Sequence, residues 1–135
     1  MNSSPGTSVS AENDPRPVIF VLDDEETLLE LNAVTLEPLG YRVCTFRDPV
    51  EAMQAFSLAD PRPALILTDY AMDEMDGLAV ISACRRLNPG QKAILLSGTA
   101  DEIFFRKASE KPNRFLAKPY QCQQLLDLVR EVLAE

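Results

Sequence analysis

Residues Leu65–Gly77 read LILTDYAMDEMDG. Leu65, Ile66 and Leu67 form an apolar run with no polar alternation, the pattern of a strand covered on both faces. Thr68 and Asp69 close it, and the acids and Gly77 that follow read as a loop leading into a helix. Asp69 would then stand at the end of a buried strand.

Working outward, apolar runs alternate with helical patterns. VIFVLDD (Val18–Asp24) is a β-rich run ending in acids, and residues 25–39 have helical spacing. Leu28, Leu31, Thr35 and Leu39 fall in one stripe there, with Leu36 at its border. Pro38 is expected to shorten this helix, and Gly40 to stop it. YRVCTF (Tyr41–Phe46) is the second strand. Asp48-Pro49 is an N-cap and first-turn pair for a helix carrying Ala52, Met53 and Phe56. ALILTD (residues 64–69) is the third strand. The next helix carries Val80, Ile81, Cys84 and Leu87 and ends at Asn88-Pro89-Gly90. KAILLS (residues 92–97) is the fourth strand, a helix spans about Asp101 to Ser109, and RFLAK (residues 114–118) is the fifth strand. The last helix places Cys122, Leu125, Leu126, Val129 and Val132 on one face. Five strands alternating with five helices predict an α/β fold with a parallel, doubly wound sheet over residues 17–135. Residues 1–16, rich in Ser, Pro, Asn and Gly, are expected to be a flexible tail.

The chain has 135 residues, 46% of them hydrophobic, which suits one domain with a sizeable core. A net charge of −8 argues against direct nucleic-acid binding, since no basic surface remains to neutralise phosphates. No apolar run approaches the roughly 20 residues needed to span a bilayer, and the start lacks the apolar core of a signal peptide. A cytoplasmic protein is expected. Histidine is absent, which removes the commonest general base and metal ligand. Cys44, Cys84 and Cys122 are widely spaced and make neither a zinc motif nor a disulfide framework. Cys84 and Cys122 are expected to pack in the core.

In a doubly wound sheet, ligands bind beyond the carboxyl ends of the strands. Strand 1 ends in Asp23-Asp24, strand 3 in Asp69, strand 4 in Ser97 and strand 5 in Lys118-Pro119. Three converging carboxylates repel one another. A hard divalent cation relieves that repulsion, and Mg²⁺ suits a site of carboxylates, water and phosphate oxygens. A carboxylate is also a known covalent phosphoryl acceptor, with metal and ammonium offsetting charge on the transferring oxygens.

VLDDE (residues 21–25), LTDYAMDEMDG (67–77), LLSGT (95–99) and LAKPY (116–120) resemble, in order and spacing, the four signatures of response-regulator receiver domains of two-component systems. The resemblance covers about residues 17–135 and implies a (βα)5 fold with the flavodoxin-like strand order 2-1-3-4-5. It implies that Asp69 is the phosphoacceptor. Asp24 would be the direct Mg²⁺ ligand, Asp23 an acid acting largely through water, and the main-chain carbonyl of Ala71 a further ligand. Ser97 would hydrogen-bond the phosphoryl group, Lys118 would pair with one of its oxygens, and Phe115 would be the aromatic switch that moves with Ser97. The Lys118-Pro119 bond is expected to be cis. The missing histidine also fits, because the phosphohistidine belongs to a separate histidine kinase or histidine phosphotransfer protein. A receiver of this kind catalyses only its own phosphorylation and dephosphorylation. A single-domain form without an attached effector domain, signalling by protein contact, is expected.

Two features depart from the pattern. Asp73 replaces a common proline. SEKPNRF replaces a common Gly-Ala pair before strand 5. Ala71 and Thr99 are small at positions that tune phosphoryl lifetime in the family. Ile103, Phe104 and Phe105 are consecutive, so one helix stripe cannot bury all three. Phe104 or Phe105 is expected in a target contact or homodimer through the fourth helix, fifth strand and fifth helix. Two alternatives stand beside this reading. An aspartate-nucleophile Mg²⁺-dependent phosphatase would carry its nucleophile in a D-x-D pattern on strand 1, where this chain has Asp23-Asp24-Glu25. A pseudo-receiver used only for binding would not need the complete set of acids and lysine.

Overall fold

The computed structural model describes residues 14–98 and 108–135. The elements are β1 (Val18–Leu22), α1 (Glu26–Leu36), β2 (Arg42–Phe46), α2 (Pro49–Leu58), β3 (Leu65–Asp69), α3 (Gly77–Leu87), β4 (Ala93–Ser97), β5 (Arg114–Ala117) and α4 (Cys122–Ala134). The five strands form one parallel sheet in the order β2-β1-β3-β4-β5, as the resemblance implies. The helix expected near Asp101–Ser109, with Thr99, Ile103, Phe104 and Phe105, lies outside the described residues, as do residues 1–13 of the expected tail.

Burial follows the sheet order. Every residue of β3 and β4 is buried, while the edge strands β2 and β5 are partly open. Successive side chains of a strand point to opposite faces. Ile19, Val21, Leu65, Leu67, Ile94 and Leu96 therefore pack on one side with residues of α1 and α4. Phe20, Leu22, Ile66, Ala93 and Leu95 pack on the other with α2 and α3. The result is a three-layer α/β/α sandwich whose polar strand ends emerge together.

The buried face of α1 differs from the expected stripe. Leu29, Asn32 and Leu36 are buried, whereas Leu31 is 43% and Leu39 38% exposed. Both sets have helical spacing. The polar Asn32 disguised the true inner face, and its amide oxygen finds a partner only across the fold, in Tyr120. Pro38, lacking a backbone N–H, sits in a 3-10 turn (Glu37–Leu39) that ends the helix early. Gly40 follows at φ 98°, a left-handed conformation that suits glycine. Two further expectations need correction: Leu87 is 50% exposed at the last residue of α3, and Cys122 is exposed at the first residue of α4. The inward stripe of α4 consists of Leu125, Val129 and Val132. Cys84 is buried as expected, and burial pushes its thiol up to about 12.

Among the described residues, no helix is long and apolar enough to cross a membrane.

Candidate functional site

The carboxyl ends of β1, β3 and β5 bring an acid cluster and an ammonium together. Asp23 directly follows β1 and is fully buried. Its amide donates to the carbonyl of Phe46 at 3.1 Å, and its Oδ1 accepts from the amide of Glu25 at 2.9 Å. These bonds tie the acid to the end of β2 and to the entry of α1, so the side chain organises the turn as well as facing the cluster. Asp24 is exposed beside it, and its carbonyl accepts from Arg47 at 3.3 Å.

Asp69 ends β3 and is 6% exposed. The chain leaving it is held at both sides: Tyr70 donates its amide to Leu96 at 2.8 Å, and Gly77 donates to the Tyr70 carbonyl at 2.9 Å. Gly77 lies so close that a Cβ there would come within 2.4 Å of the Asp69 carbonyl oxygen and 2.6 Å of Leu95 Cδ1. The absence of a side chain lets the first turn of α3 sit directly against the end of β3. Asp76 caps that helix, its Oδ1 accepting from the Ala79 amide at 2.8 Å. The intervening loop makes a tight turn in which Met75 donates to the Asp73 carbonyl at 2.7 Å, with Glu74 between them at φ 70°. Such a conformation is strained for a residue with a Cβ. It occurs in the loop where Asp73 replaces the common proline.

One carboxylate oxygen from each of Asp23, Asp24 and Asp69 lies within 4.8 Å of the others. Lys118 Nζ reaches Asp23 Oδ2 and Asp69 Oδ1 at 3.1 Å each. Its backbone amide donates to the Ser97 carbonyl at 2.7 Å, which ties the lysine to β4. Ser97 is 6% exposed and pairs in register with Ala117. Ala71 is exposed in the loop just beyond Asp69. Phe115 pairs in register with Leu95 and is half-buried against the layer formed with α2 and α3. The Lys118-Pro119 peptide is cis, as expected, and Asp60-Pro61 is also cis.

Burial raises the pKa of Asp69, as do the charges of Asp23 and Asp24, against the hydrogen bond and charge of Lys118. Burial pulls Lys118 down, but its hydrogen bonds to Asp69 and Asp23 more than offset this and leave its pKa raised. Among the described residues, one ammonium therefore faces three carboxylates, an excess of negative charge in a partly desolvated site. Hard oxygen donors with uncompensated negative charge fit a small divalent cation such as Mg²⁺.

Most of the residues singled out from the sequence meet here: Asp23, Asp24, Asp69 and Lys118 directly, with Ser97 at the adjoining strand end. Phe115 lies back in the packing layer. Sequence reasoning missed two features. One is the close seat that Gly77 gives α3; a glycine in the first turn of a helix, where it is a poor helix former, is the signal the sequence offers for it. Asn32 and Tyr120 were not noticed as a pair, because the partners are far apart in the chain.

A family model described as the response regulator receiver domain matches residues 19–130. The chain is 28% identical over 116 residues to the sensor kinase CckA of Brucella abortus, a stretch that is 85% of this chain but 12% of that protein. It is 30% identical over 115 residues to the C4-dicarboxylate transport transcriptional regulatory protein DctD of Rhizobium meliloti, covering 84% of this chain and 25% of that protein. The chain thus spans about an eighth and a quarter of the lengths of these two relatives. The response regulator receiver protein CpdR of Brucella abortus is 26% identical over 117 residues, which are 85% of this chain and 95% of that protein. Among solved structures, the signal receiver domain of an HD domain-containing protein from Pseudomonas fluorescens Pf-5 superposes with a TM-score of 0.80 at 30% identity, over 88% of this chain and 95% of that one. These matches do not favour the phosphatase or pseudo-receiver alternatives. With its strand order, converging acids and matched span, the chain belongs to the response regulator receiver domain family of two-component systems.

Proposed function

We propose that Asp69 is the phosphoacceptor of this receiver, and that the donor is a phosphohistidine on a histidine kinase or histidine phosphotransfer protein. The observation that carries the reading is the meeting of Asp23, Asp24 and Asp69 within 4.8 Å, with Lys118 bridging two of them. An Asp69 carboxylate oxygen bonds to phosphorus as the phosphorus–nitrogen bond to the donor imidazole breaks. The nitrogen keeps the bonding pair and takes up a proton. Asp23, Asp24, Asp69 and the carbonyl of Ala71 would hold Mg²⁺. When bound, the cation offsets negative charge on the transferring oxygens. Lys118 supplies the second positive charge at the acceptor, and the Ser97 hydroxyl donates to the phosphoryl group once it is in place. Phe115 follows Ser97 inward.

Phosphorylation adds roughly −1.5 to −2 of charge, which biases the loops after β3 and β4 toward a second arrangement. The signal passes by protein contact to a downstream target or a second copy, through the face around β5 and α4. In this reading the protein is cytoplasmic and turns over no external substrate.

The test is incubation with acetyl phosphate and Mg²⁺ followed by intact-mass measurement, with beryllofluoride binding run alongside to cover a short-lived adduct. The wild type should gain one phosphoryl group or bind beryllofluoride, and Asp69→Ala should do neither. An adduct of equal yield on Asp69→Ala, or a wild type inert to both reagents, would sink the proposal.

A further inference from the structure

Tyr120, two residues beyond Lys118, donates its hydroxyl to Asn32 Oδ1 at 2.9 Å. Asn32 is fully buried on the inner face of α1, between Leu29 and Leu36. Its Nδ2 has no hydrogen-bond partner among the described residues. A buried amide with one group unpaired is costly, and an apolar residue would pack more favourably there. The pair therefore weakens this layer of the core compared with an apolar match.

Its placement indicates what it does. Among the described residues β5 is an edge strand, paired only with β4. The Lys118-Pro119-Tyr120 turn beyond it packs only in part on α1: Tyr120 is half-buried against the core layer that holds Leu29 and Leu36. A cavity of about 310 Å³ lies between the turn and α1, lined among the described residues by Leu28, Leu31, Gly98, Lys118, Pro119 and Tyr120. The Tyr120–Asn32 bond spans from this turn to α1 at the cavity's edge. α1 itself begins just after Asp23-Asp24, so the bond joins the element that carries the ammonium to the element that follows two of the acids. Lys118 must reach Asp23 and Asp69 at once, at 3.1 Å each. A directional hydrogen bond sets that position more narrowly than contact across a cavity.

We infer that Asn32 and Tyr120 are positioning residues for Lys118, holding its turn at a fixed distance from α1 so that the ammonium stays aligned on the acceptor. The inference rests on the phosphoacceptor reading of Asp69. The test compares Tyr120→Phe with the double variant Asn32→Leu/Tyr120→Phe. The single variant leaves Asn32 without its partner and should melt lower. The double variant replaces both partners with apolar groups and should melt at or above the wild type. Both should take phosphoryl groups from acetyl phosphate about tenfold more slowly at saturating Mg²⁺, since small misplacements of a catalytic group cost large factors in rate. Backbone amides at 120–121 and 118 should also exchange with deuterium faster in the double variant, a readout independent of phosphorylation. A double variant with wild-type rate and wild-type exchange overturns the inference. So does one whose rate falls only in step with its melting temperature, because the bond would then be merely stabilising. A wild type that neither accepts phosphoryl groups nor binds beryllofluoride overturns both readings; a competent wild type with an equally competent double variant overturns this one alone.

Discussion

The two ends of the sheet handle buried polarity in opposite ways. At the amino end, Arg85 of α3 donates to the Gln91 carbonyl at 3.0 Å, to Glu110 at 2.7 Å, to the Lys111 carbonyl and to Asn113 Oδ1 at 3.0 Å. Gln91, 3% exposed, donates to the carbonyls of Pro63 and Lys92 and accepts from Asn88. Lys92 donates to the Glu135 carbonyl at the end of α4. The Arg85, Gln91 and Lys92 groups there are paired with one another or with carbonyls, whereas Arg62 at the same end lies over the Phe56 ring with its buried Nη1 unpaired among the described residues. At the carboxyl end, three carboxylates face one ammonium. A balanced network tells of structure. An imbalance that folding retains tells of something the site is meant to receive.

The comparison predicts that substitutions at the two ends have opposite consequences. Replacing Arg85 with Met should lower stability by about 3 kcal/mol, because Glu110 and several acceptors lose their partner in a partly buried setting. Phosphorylation by acetyl phosphate should survive at temperatures where the variant remains folded. Urea unfolding measures the first and intact mass the second; an unchanged unfolding midpoint would mean that the network holds nothing together. Gly77→Ala probes the carboxyl end through packing. With a methyl driven against the Asp69 carbonyl and Leu95, it should cost about 2 kcal/mol and displace Asp69, so that, on the proposed function, stability and phosphorylation fall together. Loss of one without the other would separate the seat of α3 from the site. The smallest change in stability without metal is expected for Asp24→Asn. Removing one of three mutually repelling acids should raise stability without metal by about 0.5 kcal/mol. The same change should abolish the Mg²⁺-dependent rise in melting temperature, which in the wild type corresponds to about 2.7 kcal/mol at a hundred times Kd. A variant that is less stable without metal, yet stabilised by Mg²⁺ as the wild type is, would remove Asp24 from the cation site.

Much of this was legible in the chain. The unbroken apolar runs of β3 and β4 marked strands covered on both faces, and the acids and lysine that end the strands marked the site. Both readings rest on local pattern. The stripe of α1 was misread because Asn32 breaks the apolar spacing that identifies an inner face, and the residue that makes its burial tolerable lies 88 positions away. Cys122 and Leu87 were misread at helix ends, where periodicity continues but the sheet no longer covers the side chains.

Residue order alone determined the alternation of elements, the polarity of the strand termini and the identity of the groups gathered there, since each follows from short-range spacing and side-chain chemistry. Only the tertiary structure decided which face of α1 turns inward, how closely Gly77 admits α3 to the end of β3, and that one lysine bridges two acids from different strands. Those depend on distances between segments remote in sequence, which packing sets and local pattern does not encode.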